Sequence, residues 1–405
     1  AWRVPNRVYL DHAATSPIHP EGIDAMAKQM AIVGNASSLH TSGRNARGVV
    51  EESRERIAAA LGARPSEVIF TSGGTESDNM AIKGTYRATR RIDDARRRLV
   101  VSGIEHHAVL DAVEALVAHE GAAVTWVEPT SDGVITAAAV RAAIEADGGP
   151  RTVALVSVMW ANNEVGTVQP IAEIGAVCAE FAIPFHTDAV QAIGHVDVDF
   201  AASNTTMLAL TGHKLGGPQG VGALLLARDA KLDPLTHGGG QERQVRSGTL
   251  DVAGIRGLAV AVELACAARE DEAARLVGLR DALIDGALAL DLGIEISGAW
   301  TRGDGTSRLP GNAHLRVPGC DGDSMLYLLD AAGVECSTGS ACQAGVPRPS
   351  HVLLAMGIPE ERARGALRLT LGHTSTQADV DAFLEALPAV AERARRAQEA
   401  TRKVS

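Results

Sequence analysis

Aromatic residues make up only 3% of this 405-residue chain. Cysteine is nearly as scarce, with five residues spread thinly at positions 178, 266, 320, 336 and 342. A secreted disulfide scaffold would be denser in cysteine and usually even in count, so reduced thiols and a cytoplasmic location are expected. No run of 18 or more apolar residues occurs, which removes a membrane-spanning helix. The opening stretch "AWRVPNRVYLDHAAT" lacks the apolar core of a signal peptide. Positive charge is not in surplus either. The formal net charge is −11, which argues against a general binder of nucleic acid or of anionic membranes. What is present is ordinary globular material, 46% hydrophobic and 21% charged, in a chain long enough for two domains.

Short apolar runs alternate with amphipathic helical patterns. "EVIFTSG", "RLVVSGIEH", "AVTWVEPT", "TVALVSVMWANNE", "IPFHTDAVQ", "TMLALTGHK" and "VGALLLARD" each read as a strand, mostly continuous in apolar residues as strands buried on both faces are. Helical stretches such as "AVLDAVEALVAHEG" and "IAEIGAVCAEFA" lie between them. The alternation predicts an α/β fold with a mostly parallel sheet flanked by helices, its ligands at the strands' C-terminal edge. Polar and unusual residues fall at those ends: "TSGGTES", "EHH", "ANNE", "TDAVQ" and "TGHK". From about residue 264 long helical patterns lead into shorter strands and a final helix, which predicts a smaller α+β domain. The expected division is a large domain over 15–263, and a small domain built from 1–14 and 264–405.

"TSGGTES", Thr71–Ser77, sits between a strand and a helix. Glycines there, Gly74 among them, let backbone N–H groups close on an anion, with Thr75 adding a hydroxyl. An ordinary tight turn is the competing explanation of the loop taken alone. Lys214 ends "TGHK" after an apolar run, where a desolvated amine has a lowered pKa and forms Schiff bases. Asp188 lies 26 residues earlier, about one βαβ unit. A phosphate loop, a lysine and a buried aspartate are the parts needed to hold pyridoxal phosphate: the loop for the phosphate, the lysine for the imine, the aspartate for the pyridine nitrogen. "HH" at 106–107 lacks metal-ligand spacing, so no metal is expected.

At this point the chain resembles the cysteine desulfurases of the NifS/IscS type, within the aminotransferase class V group of fold-type I pyridoxal phosphate enzymes. The motifs that carry the resemblance span nearly the whole chain: "YLDHAAT", "GNASSLH", "FTSGGTESDN", "EHHAVL", "ANNEVGTVQP", "FHTDAVQAIG", "GHKLGGPQGVG", "GGGQERQVRSGT", "STGSAC", "PSHVLLAMG" and "LRLTLGHT". The resemblance implies a fold-type I transferase whose large domain holds a seven-stranded sheet. It implies Lys214 as the Schiff-base lysine, Asp188 at the pyridine nitrogen, and Gln191 and Asn163 near the ring's phenolic oxygen. His106 would stack on the ring and move protons. Thr75, Thr211 and His213 would hold the phosphate, and Thr249 would reach the phosphate of a neighbouring subunit in a homodimer. Arg368 would grip the carboxylate of L-cysteine, with Asn35 nearby; a guanidinium fork is the natural bidentate partner of a carboxylate.

Cys336 and Cys342 stand six residues apart in "VECSTGSACQAG". The resemblance aligns Cys342 with the sulfur-accepting thiol, surrounded by small residues, whereas Cys336 follows an ordered segment and suits a buried position. Cys178 and Cys266 fall in helical patterns and read as small core residues, while Cys320 reads as part of a turn. The implied activity converts L-cysteine to L-alanine and leaves a persulfide for an acceptor protein, an iron–sulfur scaffold or a tRNA-thiolation protein. Transient contact of Cys342 with an iron–sulfur cluster is the single metal encounter this implies. The alternatives are another class V enzyme, a selenocysteine lyase or an aminotransferase, and a non-catalytic assembly scaffold. Gln343 stands where the family often has Ser or Thr, and the tail "ATRKVS" differs from the tail that docks the scaffold protein in the best-known members.

Overall fold

The computed structural model of the protein describes residues 7–339 and 349–402. Seven strands form the main sheet: β2 (Val68–Thr71), β3 (Arg98–Ser102), β4 (Ala123–Val127), β5 (Val153–Ser157), β6 (Phe185–Asp188), β7 (Met207–Thr211) and β8 (Gly222–Leu226). Their order is β2-β8-β7-β6-β5-β3-β4. These are the seven apolar runs of the sequence. Only β8 runs antiparallel to its neighbours, β2 and β7. Every residue of β2, β3, β5, β6, β7 and β8 is buried, as continuous apolar runs require. β4 forms an edge and leaves Ala123 and Trp126 exposed.

The reversal at β8 follows from the turn before it. The chain leaves β7 through a 3-10 turn, Gly212–Lys214, and returns through left-handed glycines at 216 and 220. Gly222 then passes beside the phosphate loop. A Cβ there would stand 2.8 Å from the Gly73 Cα and 2.4 Å from the Leu210 carbonyl oxygen, so glycine is what lets the loop lie against the strand.

A second, smaller sheet holds β9 (Glu295–Ile296), β10 (Asn312–Arg316) and β12 (Ala366–Thr370), in the order β12-β10-β9. β1 (Val8–Tyr9) pairs in parallel with β11 (Val334–Glu335) and brings the N-terminal segment to this side. The small sheet is antiparallel and alternates strictly. Ala313, Leu315, Leu367 and Leu369 enter an apolar cluster with Leu276, Leu283, Phe383 and Leu387, while Asn312, His314, Arg368 and Thr370 face the other way.

One helix, Val252–Leu288, joins the two regions. Ile255, Leu258, Ala259 and Val262 pack into the core beneath the large sheet, and Leu276, Leu283, Ile284 and Ala287 into the smaller one. Between them no residue from 263 to 275 is buried. The change of pattern read near residue 264 therefore falls inside a continuous helix. The final helix, Gln377–Arg402, carries Pro388 in its interior and packs Val380, Phe383 and Leu387 against the small sheet. No described helix is long and apolar enough to cross a membrane.

Candidate active site

The C-terminal ends of the parallel strands, the N-terminal segment and β12 enclose a cleft of about 380 Å³. Its lining includes Gly74, Thr75, His106, Asn163, Asp188, Gln191, Thr211, His213, Lys214 and Arg368, ten of the residues singled out in the sequence. They arrive from several different strands. Gly74 and Thr75 follow β2, His106 caps the helix after β3, Asn163 follows β5, Asp188 closes β6, and Thr211 to Lys214 close β7.

Lys214 is held by backbone. Its Nζ donates to the carbonyls of Ala13 at 2.6 Å and Ala14 at 2.9 Å. Gln191 Nε2 donates to the same Ala13 oxygen at 3.0 Å, and the Ala13 amide donates to Thr370 Oγ1 at 2.9 Å. The Asp11–Thr15 stretch thus ties the lysine to the small sheet. Burial, reinforced by Arg368, pushes the Lys214 amine down to about 8, against the opposing pull of Asp11 and Asp188.

Asp188 Oδ1 accepts from the Val190 amide at 2.9 Å. Burial raises its pKa, while His106, that amide and Lys214 act the other way. His106 Nδ1 accepts from the Ala108 amide at 3.1 Å and caps the helix His107–Glu120. Burial lowers the His106 pKa, leaving a neutral ring against the cleft. Burial and then Lys214 bring His213 down to about 4.

Arg368 reaches the cleft from β12. Its two terminal nitrogens donate to the Asn163 carbonyl and to Asp11 Oδ1, each at 2.9 Å. The guanidinium therefore already faces one carboxylate, the chemistry a carboxylate substrate would present. Asp11 and the Ala13 and Ala14 carbonyls were not singled out individually in the sequence; the only signal was the motif "LDHAAT" that contains them. Asp78, one helical turn beyond the phosphate loop, also lines the cleft and is buried beside His186, at 3.3 Å between Oδ1 and Nε2. Burial, then Asp188 and Glu105, pushes its carboxyl well up.

The residues present fit pyridoxal phosphate. Gly73 has φ of +150°, open to glycine, and a Cβ on Gly74 would come within 2.8 Å of Val190. The backbone there can close on a phosphate, with Thr75, Thr211 and His213 alongside. An amine with lowered pKa and a buried aspartate complete the donor set.

Two predicted residues stand apart. Asn35 is exposed, and its Oδ1 accepts from Ser37. Thr249 is exposed on the segment after β8, outside the cleft of its own chain. Cys342 lies outside the described residues. Cys336 is buried with the small-sheet core, and burial pushes its thiol up to about 12. Cys178, Cys320 and the half-buried Cys266 also pack against protein, and these four described cysteines are free.

Comparison with known proteins agrees with this geometry. The family model "Aminotransferase class-V" matches residues 8–383. The IscS-like cysteine desulfurase of Mycobacterium tuberculosis is 58% identical over 389 residues, 96% of this chain and 97% of its own. Cysteine desulfurase IscS of Methanosarcina thermophila is 44% identical, over 96% of this chain and 93% of its own. A solved NifS-like protein superposes with a TM-score of 0.84 at 32% identity, covering 95% of this chain and 98% of that one. The chain belongs to the aminotransferase class-V family, among its cysteine desulfurases.

Proposed function

We propose that this chain takes sulfur from L-cysteine, releases L-alanine, and holds the sulfur as a persulfide on Cys342 for an acceptor protein. The observation that carries this is the meeting, in one cleft, of a lysine amine brought down to about 8, a buried aspartate and an arginine already engaged with a carboxylate. Pyridoxal phosphate, when bound, supplies an electron sink next to the substrate's Cα.

The chain's own groups do the rest. Arg368 binds the substrate carboxylate. Lys214 anchors the cofactor and then takes the Cα proton, for which an amine near neutrality is suited. With the cofactor bound, Asp188 would serve its pyridine nitrogen, Gln191 and Asn163 its phenolic oxygen, and His106 would stack on it and handle protons. Gly74, Thr75, Thr211 and His213 hold the phosphate, joined by Thr249 of a second subunit in a homodimer. The Cys342 thiolate attacks the substrate sulfur. The S–S bond forms as the Cβ–S bond breaks, and the carbon keeps the electron pair and takes a proton.

The sulfur acceptor is an iron–sulfur scaffold or a tRNA-thiolation protein, with any cluster meeting Cys342 only in transit. Free thiols at all four described cysteines suit a reducing cytoplasm. The test is to supply L-cysteine and a thiol reductant to the yellow holoenzyme, and to quantify alanine and sulfide. Equal yields of both are expected, and borohydride should fix the cofactor to Lys214. A label on Lys83 or Lys231, or alanine without sulfide, would overturn the assignment.

A further inference from the structure

The segment between β8 and the long helix closes on itself. Glu242 and Arg246 exchange backbone hydrogen bonds at 3.0 and 3.2 Å, across a reversal that puts Arg243 and Gln244 at φ of +51° and +63°. The Ser247 hydroxyl accepts from the Gly240 amide at 3.1 Å, and Gln241 Oε1 accepts from the Gly248 amide at 2.9 Å. Side chains then pin the loop beside β2 and β8. Glu242 accepts from the Phe70 amide, and Arg243 donates to the carbonyls of Ser66 and Leu226 at 2.9 and 3.2 Å. Further on, Asp251 caps the long helix by accepting from the Gly254 amide at 3.0 Å. Thr249 is exposed in the short stretch between these two fixed points.

One tie goes to the phosphate loop itself. Arg246 Nε donates to Glu76 Oε1 at 2.8 Å, and Glu76 Oε2 accepts from the Ser72 amide at 2.6 Å. Ser72 and Glu76 line the pocket at that loop together with Gly74, Thr75, Thr211 and His213. A carboxylate beside a phosphate site repels the anion unless a cation offsets it, and the Arg246 guanidinium supplies one. The same guanidinium lies against Gly248, where a Cβ would stand 3.6 Å from Arg246 Nη1. It therefore reaches from the phosphate loop to the residue next to Thr249.

We propose that Arg246, held by Glu76, is a positioning residue for Thr249: the ion pair ties the 246–249 stretch to the phosphate loop of its own subunit, so that the Thr249 hydroxyl is presented to the phosphate of the neighbouring subunit. This rests on the reading of Thr249 as a phosphate ligand across a homodimer. Without the tie, the stretch must be ordered when the cofactor binds, and that ordering lowers the affinity.

Glu76→Gln combined with Arg246→Met removes the tie without leaving a net charge at the phosphate, and Gln keeps an acceptor for the Ser72 amide. Fluorescence titration of the cofactor-free full chain with pyridoxal phosphate should show binding about threefold weaker than wild type. Thr249→Val alone should weaken it about two- to tenfold. Adding the pair of substitutions to Thr249→Val should cost nothing more, because the tie acts through the hydroxyl already removed. Pyridoxal, which has no phosphate, should bind all four proteins equally, whereas a general loosening of the cleft would weaken it too. Arg246→Lys, which keeps an ion pair with Glu76, should bind pyridoxal phosphate within about twofold of wild type. Should the paired variant not fold, Glu76→Asp, which withdraws the carboxylate by one carbon and keeps its charge, takes its place. Unchanged affinity in the paired variant, the same loss repeated on the Thr249→Val background, or a matching loss for pyridoxal would overturn the proposal. If Thr249→Val leaves the affinity unchanged, the shared phosphate site fails and the proposal with it; if Thr249→Val weakens binding and the paired variant does not, only the role of Arg246 falls.

Discussion

Replacing Lys214 with methionine should make the cofactor-free protein more stable near neutral pH, although it removes the amine proposed to anchor the cofactor. The lysine sits in the cleft with Nζ on two backbone carbonyls, and burial is the largest force on it. Its pKa falls from 10.5 to about 8. A lowered pKa means that folding favours the deprotonated amine. The corresponding stability is fully present above pH 10.5 and is lost as pH falls through about 8. The shift amounts to about 3 kcal/mol, an upper bound because the cleft is open to solvent. Methionine carries no such term. The stability of Lys214→Met minus that of wild type should therefore be small at pH 10.5, grow by up to about 3 kcal/mol toward pH 8, and stay level below. Urea unfolding of both cofactor-free proteins across this range measures it. A difference that does not vary with pH would refute the account of a strained, partly desolvated amine.

Other outcomes follow from single contacts. Glu242 is almost fully buried and accepts from Arg54 through both oxygens, at 2.8 and 2.9 Å, and from the Phe70 amide at 2.8 Å. Glu242→Ala removes Arg54's buried partner, leaving only the half-exposed Glu51 at 3.4 Å and the Val68 carbonyl, and should cost about 3–5 kcal/mol in denaturant unfolding; a loss under about 1 kcal/mol would show the pair to be solvated. Cys336→Ser should keep most sulfide release, since burial holds that thiol protonated, while Cys342→Ser should release none. Mass spectrometry that finds the added sulfur on Cys336 would reverse the assignment. Thr249→Val should weaken cofactor binding by roughly 0.5–1.5 kcal/mol in a fluorescence titration. A fully active monomer in sedimentation would contradict a phosphate site shared between subunits.

The large sheet was legible because its strands are buried on both faces and write themselves as unbroken apolar runs. The cleft was legible because strand ends collect residues no core would choose: Asp188, His106, Lys214. Backbone acceptors left no such mark. Nothing in the composition of Ala13 and Ala14 says that their carbonyls hold the lysine, because every residue has a carbonyl. The pairing of Asp11 with Arg368 joins positions 357 apart and depends on β12 lying beside the N-terminal segment, a tertiary fact. The single long helix was read as a boundary because its middle turns polar, and a polar stretch looks the same whether it is a linker or an exposed stretch of helix. Asn35 and Thr249 were found through motifs alone. In one chain they remain at the surface, where local physics gives them no task.

The helix Val252–Leu288 has a mechanical consequence. At 37 residues it is about 55 Å long, anchored at each end in a different core and less deeply packed in between, where residues such as Ala265 and Cys266 are only half-buried. It behaves as a beam clamped at both ends. The amine on one side and the guanidinium on the other keep their spacing by the stiffness of a hydrogen-bonded rod as well as by contacts across the cleft. A hinge cut into the shallowly packed middle, such as a proline near residue 268, would leave both clamps intact and let the two halves drift out of alignment.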